Sequence, residues 1–161
     1  MIHHFHVIGE YTPSTPITLA SFGNTYLPLL QNGGGLNPTV PLFTNMDSIV
    51  LNTSNPNHHI IQFRNNAIFK FIAQFTLLLN NTNANDVPMN IQMGTYVSNQ
   101  LIIPAGEDSV NPYDFYLIGD NYDWVNNKYM SSIDVLAGLG NGGISGSLQL
   151  TDLTSNILFL A

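Results

Sequence analysis

The chain has 161 residues, the length of one ordinary domain, and at 44% hydrophobic it can build a core. Only 8% of its residues are charged, against roughly 25% in an average soluble domain, and the formal net charge is -7. Arg64, Lys70 and Lys128 are too few to neutralise a run of phosphates or to hold the chain on anionic lipid, and no apolar run reaches the roughly 18 to 20 residues that span a bilayer, so nucleic-acid binding and membrane insertion are excluded.

The start, Met1-Ile2-His3-His4-Phe5-His6, lacks the basic and apolar regions of a signal peptide. On a strand His4 and His6 share a face and form a candidate ligand pair for a divalent metal, against the plainer reading of solvated imidazoles on an edge. A short apolar run over residues 17–22 is the first predicted strand. Residues 31–41, with Gly33-Gly34-Gly35 and two prolines, read as a surface loop. The triple glycine lacks the lysine and the following helix of a phosphate loop. We therefore expect a single domain over 1–161, with 1–45 an N-terminal extension carrying strands and 46–161 the core.

Strands are predicted over residues 48–51 and 59–63. The adjacent His58 and His59 must point to opposite faces and make a poor metal pair. The clearest period in the chain follows over residues 67–79, where Phe69, Phe71, Ala73, Phe75, Leu77 and Leu79 recur at a spacing of two. The opposite face mixes Ile68, Ile72 and Leu78 with Lys70, Gln74 and Thr76, too apolar for free solvent and too polar for a dry core. A contact between copies is therefore expected around Phe69, Phe71 and Phe75 or on the reverse face, at Ile68 and Ile72.

Residues 80–88 and 104–108 are rich in Asn, Pro and Gly and read as turns, the first before a strand at 89–93 and the second before one at 113–118. Asp120, Asn121, Asp123 and Trp124 then gather carboxylates, an amide and the only tryptophan. That group could hold Ca²⁺ through oxygen ligands, or stack a sugar on Trp124 while the carboxylates accept its hydroxyls; the plainer reading is a polar turn. Strands are expected over 132–136, 147–150 and 156–160. Between them Gly143-Ile144-Ser145-Gly146 falls one residue short of a nucleophile elbow and precedes a strand, not a helix. Glu10 and Glu107, the only glutamates, show no glycosidase spacing. No catalytic residue is assigned, no cofactor is expected beyond such a cation, and a small β-sandwich hydrolase is the weakest reading.

The sum is an all-β chain of about eight to ten antiparallel strands, joined by loops long enough for Greek-key connections, and so a jelly-roll β-sandwich. The few charges weaken the repulsion that keeps copies of a protein apart, which favours self-association.

The run Ile60-Ile61-Gln62-Phe63, a turn, then Phe69-Lys70-Phe71-Ile72-Ala73-Gln74-Phe75 resembles the early core strands of the tumour-necrosis-factor and C1q-like jelly rolls, and of viral capsid and spike jelly rolls. The ending, from Ser147-Leu148-Gln149-Leu150 to Ile157-Leu158-Phe159-Leu160, is similar to theirs. The resemblance implies a homotrimer, or a pentamer in a penton-like role, that serves as a recognition head or structural knob and meets other virion proteins, a host receptor or a glycan. An Asn-rich, Cys-free chain without a signal peptide fits the viral end of that range. Lacking a basic arm, it fits an outer spike, penton-like or fibre-head position on a virion or comparable surface better than a shell against a genome. The alternative is a carbohydrate- or receptor-binding module of the C1q/TNF type.

Overall fold

The computed structural model describes residues 4–19, 23–29, 49–56, 58–64, 67–123, 128–140 and 148–160. Within them run β1 (His4–Tyr11), β2 (Ile17–Thr18), β3 (Gly23–Tyr26), β4 (Ile49–Asn55), β5 (His58–Phe63), β6 (Lys70–Asn81) and β7 (Val87–Met93). The later strands are β8 (Tyr96–Val97), β9 (Leu101–Ile103), β10 (Asn111–Asp120), β11 (Tyr122–Asp123), β12 (Lys128–Tyr129), β13 (Ser132–Leu139) and β14 (Leu148–Leu160). Every recorded pairing is antiparallel.

The first sheet has the order β1-β14-β6-β10, with β2 also on β14. The second has the order β4-β5-β13-β7-β8, with β3 added to β13 and β9 to β7. From β5 onward the long strands alternate between sheets: β5 lies in the second, β6 in the first, β7 in the second, β10 in the first, β13 in the second and β14 in the first. Apart from the local pairings of β4 with β5 and of β7 with β8 and β9, their partners lie far away in sequence, which is the path of a jelly-roll sandwich.

Side-chain alternation explains the two layers. On β6 the residues Phe71, Ala73, Phe75, Leu77 and Leu79 all point inward and are buried, while Lys70, Ile72 and Gln74 point out. Phe69, just before the strand, is buried as well. The three phenylalanines expected to face a partner or the core therefore belong to the chain's own core. Phe159 of β14 sits at the centre of it, with ring centroids 5.8 Å from Phe63, 6.4 Å from Phe69 and 5.9 Å from Phe71. Since Phe63 belongs to the second sheet, this edge-to-face cluster ties the two layers together.

The N-terminal strands are woven into the same sheets. β1 pairs with β14 from His4↔Leu160 to Tyr11↔Leu153, β3 pairs with β13, and Leu27 and Leu29 are fully buried. The two strands expected at 147–150 and 156–160 are one: β14 runs unbroken for 13 residues. Its buried positions shift phase, Leu148 and Leu150 before and Leu153, Ser155, Ile157 and Phe159 after, because a β-bulge lies between Leu150 and Asp152. The expected loop and linker at 31–41, Ser145 and its neighbours lie outside the described residues.

Candidate interaction face

The outer surface of the first sheet can be read row by row from the strand register. One row across β10, β6, β14 and β1 is Ile118, Ile72, Leu158 and His6. The next is Tyr116, Gln74, Asn156 and Ile8. These two rows contain no Asp, Glu, Lys or Arg. On one side they are bounded by the row of Asp120, Lys70 and Leu160, and on the other by Asp114, Thr76, Thr154 and Glu10. The arrangement is an uncharged, largely apolar band with a charged margin, which is the anatomy of a protein contact surface.

The band is open to solvent. Ile118 is 73% exposed, Ile72 50% and Tyr116 54%. Val97 of β8, 54% exposed, joins Ile72, Gln74, Tyr116, Leu117 and Ile118 around a shallow groove of about 510 Å³. Monomeric proteins scatter exposed apolar residues singly, whereas several gathered around one concavity mark a surface meant to be covered. Fully covering a large aliphatic side chain is worth roughly 1.5–3 kcal/mol, and Ile72 and Ile118, already partly covered, keep only a fraction of that in reserve.

The outer surface of the second sheet is different in kind. His58 Nε2 lies 2.8 Å from Asp134 Oδ1, and the ring of Tyr26 stacks on His58 at 3.7 Å between centroids. Gln92 Nε2 donates to Asn90 Oδ1 at 3.3 Å. Polar groups here satisfy one another within the chain, and this face has no comparable apolar band among the described residues. His59, on the reverse side of β5, is fully buried, and its Nδ1 accepts the N–H of Leu29 at 2.9 Å. Burial, with the neighbouring His58 second, lowers its pKa below the usual imidazole value.

The binding loop expected from sequence is distributed otherwise. Asp120 Oδ1 accepts from the Tyr96 hydroxyl at 2.7 Å and from the Tyr122 N–H at 3.0 Å. Asn121 is completely buried, its Oδ1 accepting from the Phe69 N–H at 2.8 Å and its Nδ2 donating to the Ala67 carbonyl at 2.6 Å. Its main chain adds bonds to Phe69 and Met130. The Asn121 side chain is spent holding the entry to β6 in place, and that of Asp120 ties Tyr96 to the turn after β10. Asp123 pairs in register with Lys128 in the β11–β12 ribbon, and Trp124 lies outside the described residues.

In the backbone register of β1, His4 lies opposite Leu160 and His6 opposite Leu158. His6 Nε2 is 2.5 Å from Asn156 Oδ1. No group of three or more His, Cys, Asp or Glu that could hold a metal occurs among the described residues.

Of the residues expected at a contact between copies, Ile72 is on the open band. Ile68, 47% exposed, precedes β6. Tyr116, Ile118 and Val97 were not singled out from sequence. The signal was present in Tyr113-Asp114-Phe115-Tyr116-Leu117-Ile118, which is apolar on both faces after Asp114 where a strand with one wet face should alternate.

No protein-family model matches the chain, and no curated protein matches it. Among solved structures, PRD1 vertex protein P5 is similar at 11% sequence identity, with a TM-score of 0.49, over 96% of this chain and 71% of that one.

Proposed function

We propose that this chain is a self-assembling, non-enzymatic building block, a jelly-roll head or vertex subunit of a virion or comparable surface assembly. The observation that carries the reading is the uncharged band of Ile118, Ile72, Tyr116 and Ile8 across the outer face of the first sheet. Its occupant is a second copy of the chain. At a formal net charge of -7 two copies repel each other at a distance, so a contact between them has to use surface from which that charge is missing. The two central rows offer it. A basic partner would instead be drawn to the acidic margin at Asp114 and Glu10.

Closed rotational symmetry is the usual outcome for such a face, and a trimer is the preferred order, with a pentamer the alternative. Multi-angle light scattering and sedimentation at micromolar concentration test the reading. A discrete oligomer is expected, reduced to monomer by Ile72→Asp combined with Ile118→Asp, both outward-facing and so compatible with folding. A wild-type chain that is a clean monomer overturns it. The virion assignment is tested by gene neighbourhood: capsid, fibre or lysis genes beside this one support it, and a metabolic operon argues against it.

A further inference from the structure

Strand β10 ends the first sheet, so among the described residues one side of its backbone has no neighbouring strand in the order β1-β14-β6-β10. Such an edge is a ready template for another chain, and proteins block it by specific devices. Two stand on this one. The side-chain oxygen of Asn99 accepts the Tyr116 N–H at 2.8 Å, and its Nδ2 donates to the Asp114 carbonyl at 3.3 Å. One carboxamide thus takes up the N–H of a residue and the carbonyl two positions earlier, the pair of bonds that a residue of an added parallel strand would make. Because the Tyr116 N–H points away from β6, alternation places residues 112, 114 and 118 on the same open side. Position 112 is Pro112, which has no N–H to offer.

We infer that Asn99, with Pro112, is a built-in block that closes the β10 edge to strand addition and leaves the adjoining sheet face as the place where copies meet. The inference rests on the self-assembly reading above and explains how it stays specific. Ile72, Ile118 and Tyr116 draw copies to this corner of the molecule, where an open edge immediately beside the apolar band would let them join edge to edge and grow without limit. A face contact closes on itself by rotation, whereas repeated strand addition does not. Asn99 itself is exposed and held by Ser98, whose hydroxyl donates to the Asn99 carbonyl at 2.8 Å and whose N–H donates to Ile91 O at 2.8 Å. The plug is therefore anchored to β7 of the opposite sheet.

The test is Asn99→Ala in the full chain, followed by thioflavin-T fluorescence and light scattering at equal concentration. The variant is expected to form thioflavin-positive species that grow at least tenfold in mass beyond the wild-type particle, and to capture a labelled peptide of the β10 sequence that the wild type does not bind. Asn99→Asp keeps the acceptor for Tyr116 and adds a charge to the edge, and is expected to stay at the wild-type size. An Asn99→Ala chain that folds and keeps the wild-type size distribution overturns the inference. Should Asn99→Ala fail to fold, amide exchange in the wild type decides: the Tyr116 N–H is expected to exchange at least tenfold more slowly than the outward N–H of Ile118, and equal rates overturn the block. A monomeric wild type removes the self-assembly reading alone, since edge capture by the variant and amide protection are read independently of it.

Discussion

The ring of Tyr96 occupies the space that a Cβ on Gly119 would fill: such an atom would lie 2.5 Å from Cγ and Cδ2 of Tyr96 and 2.7 Å from Cζ of Phe71. Tyr96 packs edge-on to Phe71 at 5.8 Å and donates its hydroxyl to Asp120. The glycine in β10 thus lets an aromatic side chain from the second sheet reach across the open end of the sandwich. Gly119→Ala is expected to lower the unfolding free energy by about 1–3 kcal/mol, the usual cost of overfilling a packed site. Urea denaturation measures it. In a Tyr96→Ala background the same substitution should cost less, since only the contact with Phe71 is left, and equal costs in both backgrounds refute Tyr96 as the obstruction.

Acidification acts through His59. Its Nδ1 accepts the Leu29 N–H, so the native ring is neutral with its proton on Nε2, and burial lowers its pKa below 6.5. Below pH 6.5 the unfolded chain takes up a proton that the native site refuses, so stability falls as the pH drops through 6.5 toward the native value. Melting temperatures between pH 7.5 and 5 should decline in the wild type. His59→Gln, which keeps an acceptor for Leu29 but does not titrate, should show a flatter profile over that interval; an unchanged slope would assign the loss to other groups.

Alkali acts through Tyr113. Glu107 accepts from the Asn81 N–H at 3.0 Å, the Asn111 amide at 2.5 Å and the Tyr113 hydroxyl at 2.8 Å. Burial, the hydrogen bond to Glu107 and its negative charge, in that order, push the Tyr113 pKa up to about 12. Here the native state holds a proton that the unfolded chain loses near pH 10. The stabilisation is complete below pH 10 and disappears as the pH rises toward 12. Tyr113→Phe should melt at a less pH-dependent temperature between pH 9.5 and 11.5. Absorbance titration of the seven tyrosines should show one late step in the wild type that is missing in the variant.

How far the sequence reveals the fold depends on how different the two faces of each strand are. β6 is legible because Phe71, Ala73, Phe75, Leu77 and Leu79 stand against Lys70 and Gln74. β1 and β3 are not, since residues such as His6, Glu10, Asn24 and Thr25 carry little period and gain their place from pairing with β14 and β13. Asp120 and Asn121 look like ligands because the oxygens that suit a cation or a sugar suit backbone N–H groups equally well. Which donors lie within reach is set by the fold: Phe69 and Tyr96 reach them from distant parts of the chain. The open band is half legible. Ile72 stands out within its own strand, while Ile118 and Leu158 become its neighbours only through the register.

The bulge in β14 makes the sharpest test of that register. Residues 150 to 152 face only Leu79 and Leu78 of β6, so Thr151 is the extra residue of the bulge, its hydroxyl donating to Leu78 O at 3.2 Å. On the other side of β14, the β2 pairing ends at Leu150 and the β1 pairing begins at Leu153, so no ladder on that side crosses the bulge. Without Thr151 the buried residues Leu148, Leu150, Leu153, Ser155, Ile157 and Phe159 would alternate without a break, each still facing the core. Deletion of Thr151 is therefore expected to leave a folded chain, within about 1.5 kcal/mol of wild type, the scale of a tolerated core adjustment. Deletion of Thr154 is the contrast. It moves either Leu153 or the group of Ser155, Ile157 and Phe159 to the wrong face, and a one-residue slip of that kind should abolish cooperative unfolding. Circular dichroism melts of the two deletions distinguish them, and an unfolded Thr151 deletion would show that the bulge itself, through the bend it puts into β14, is required.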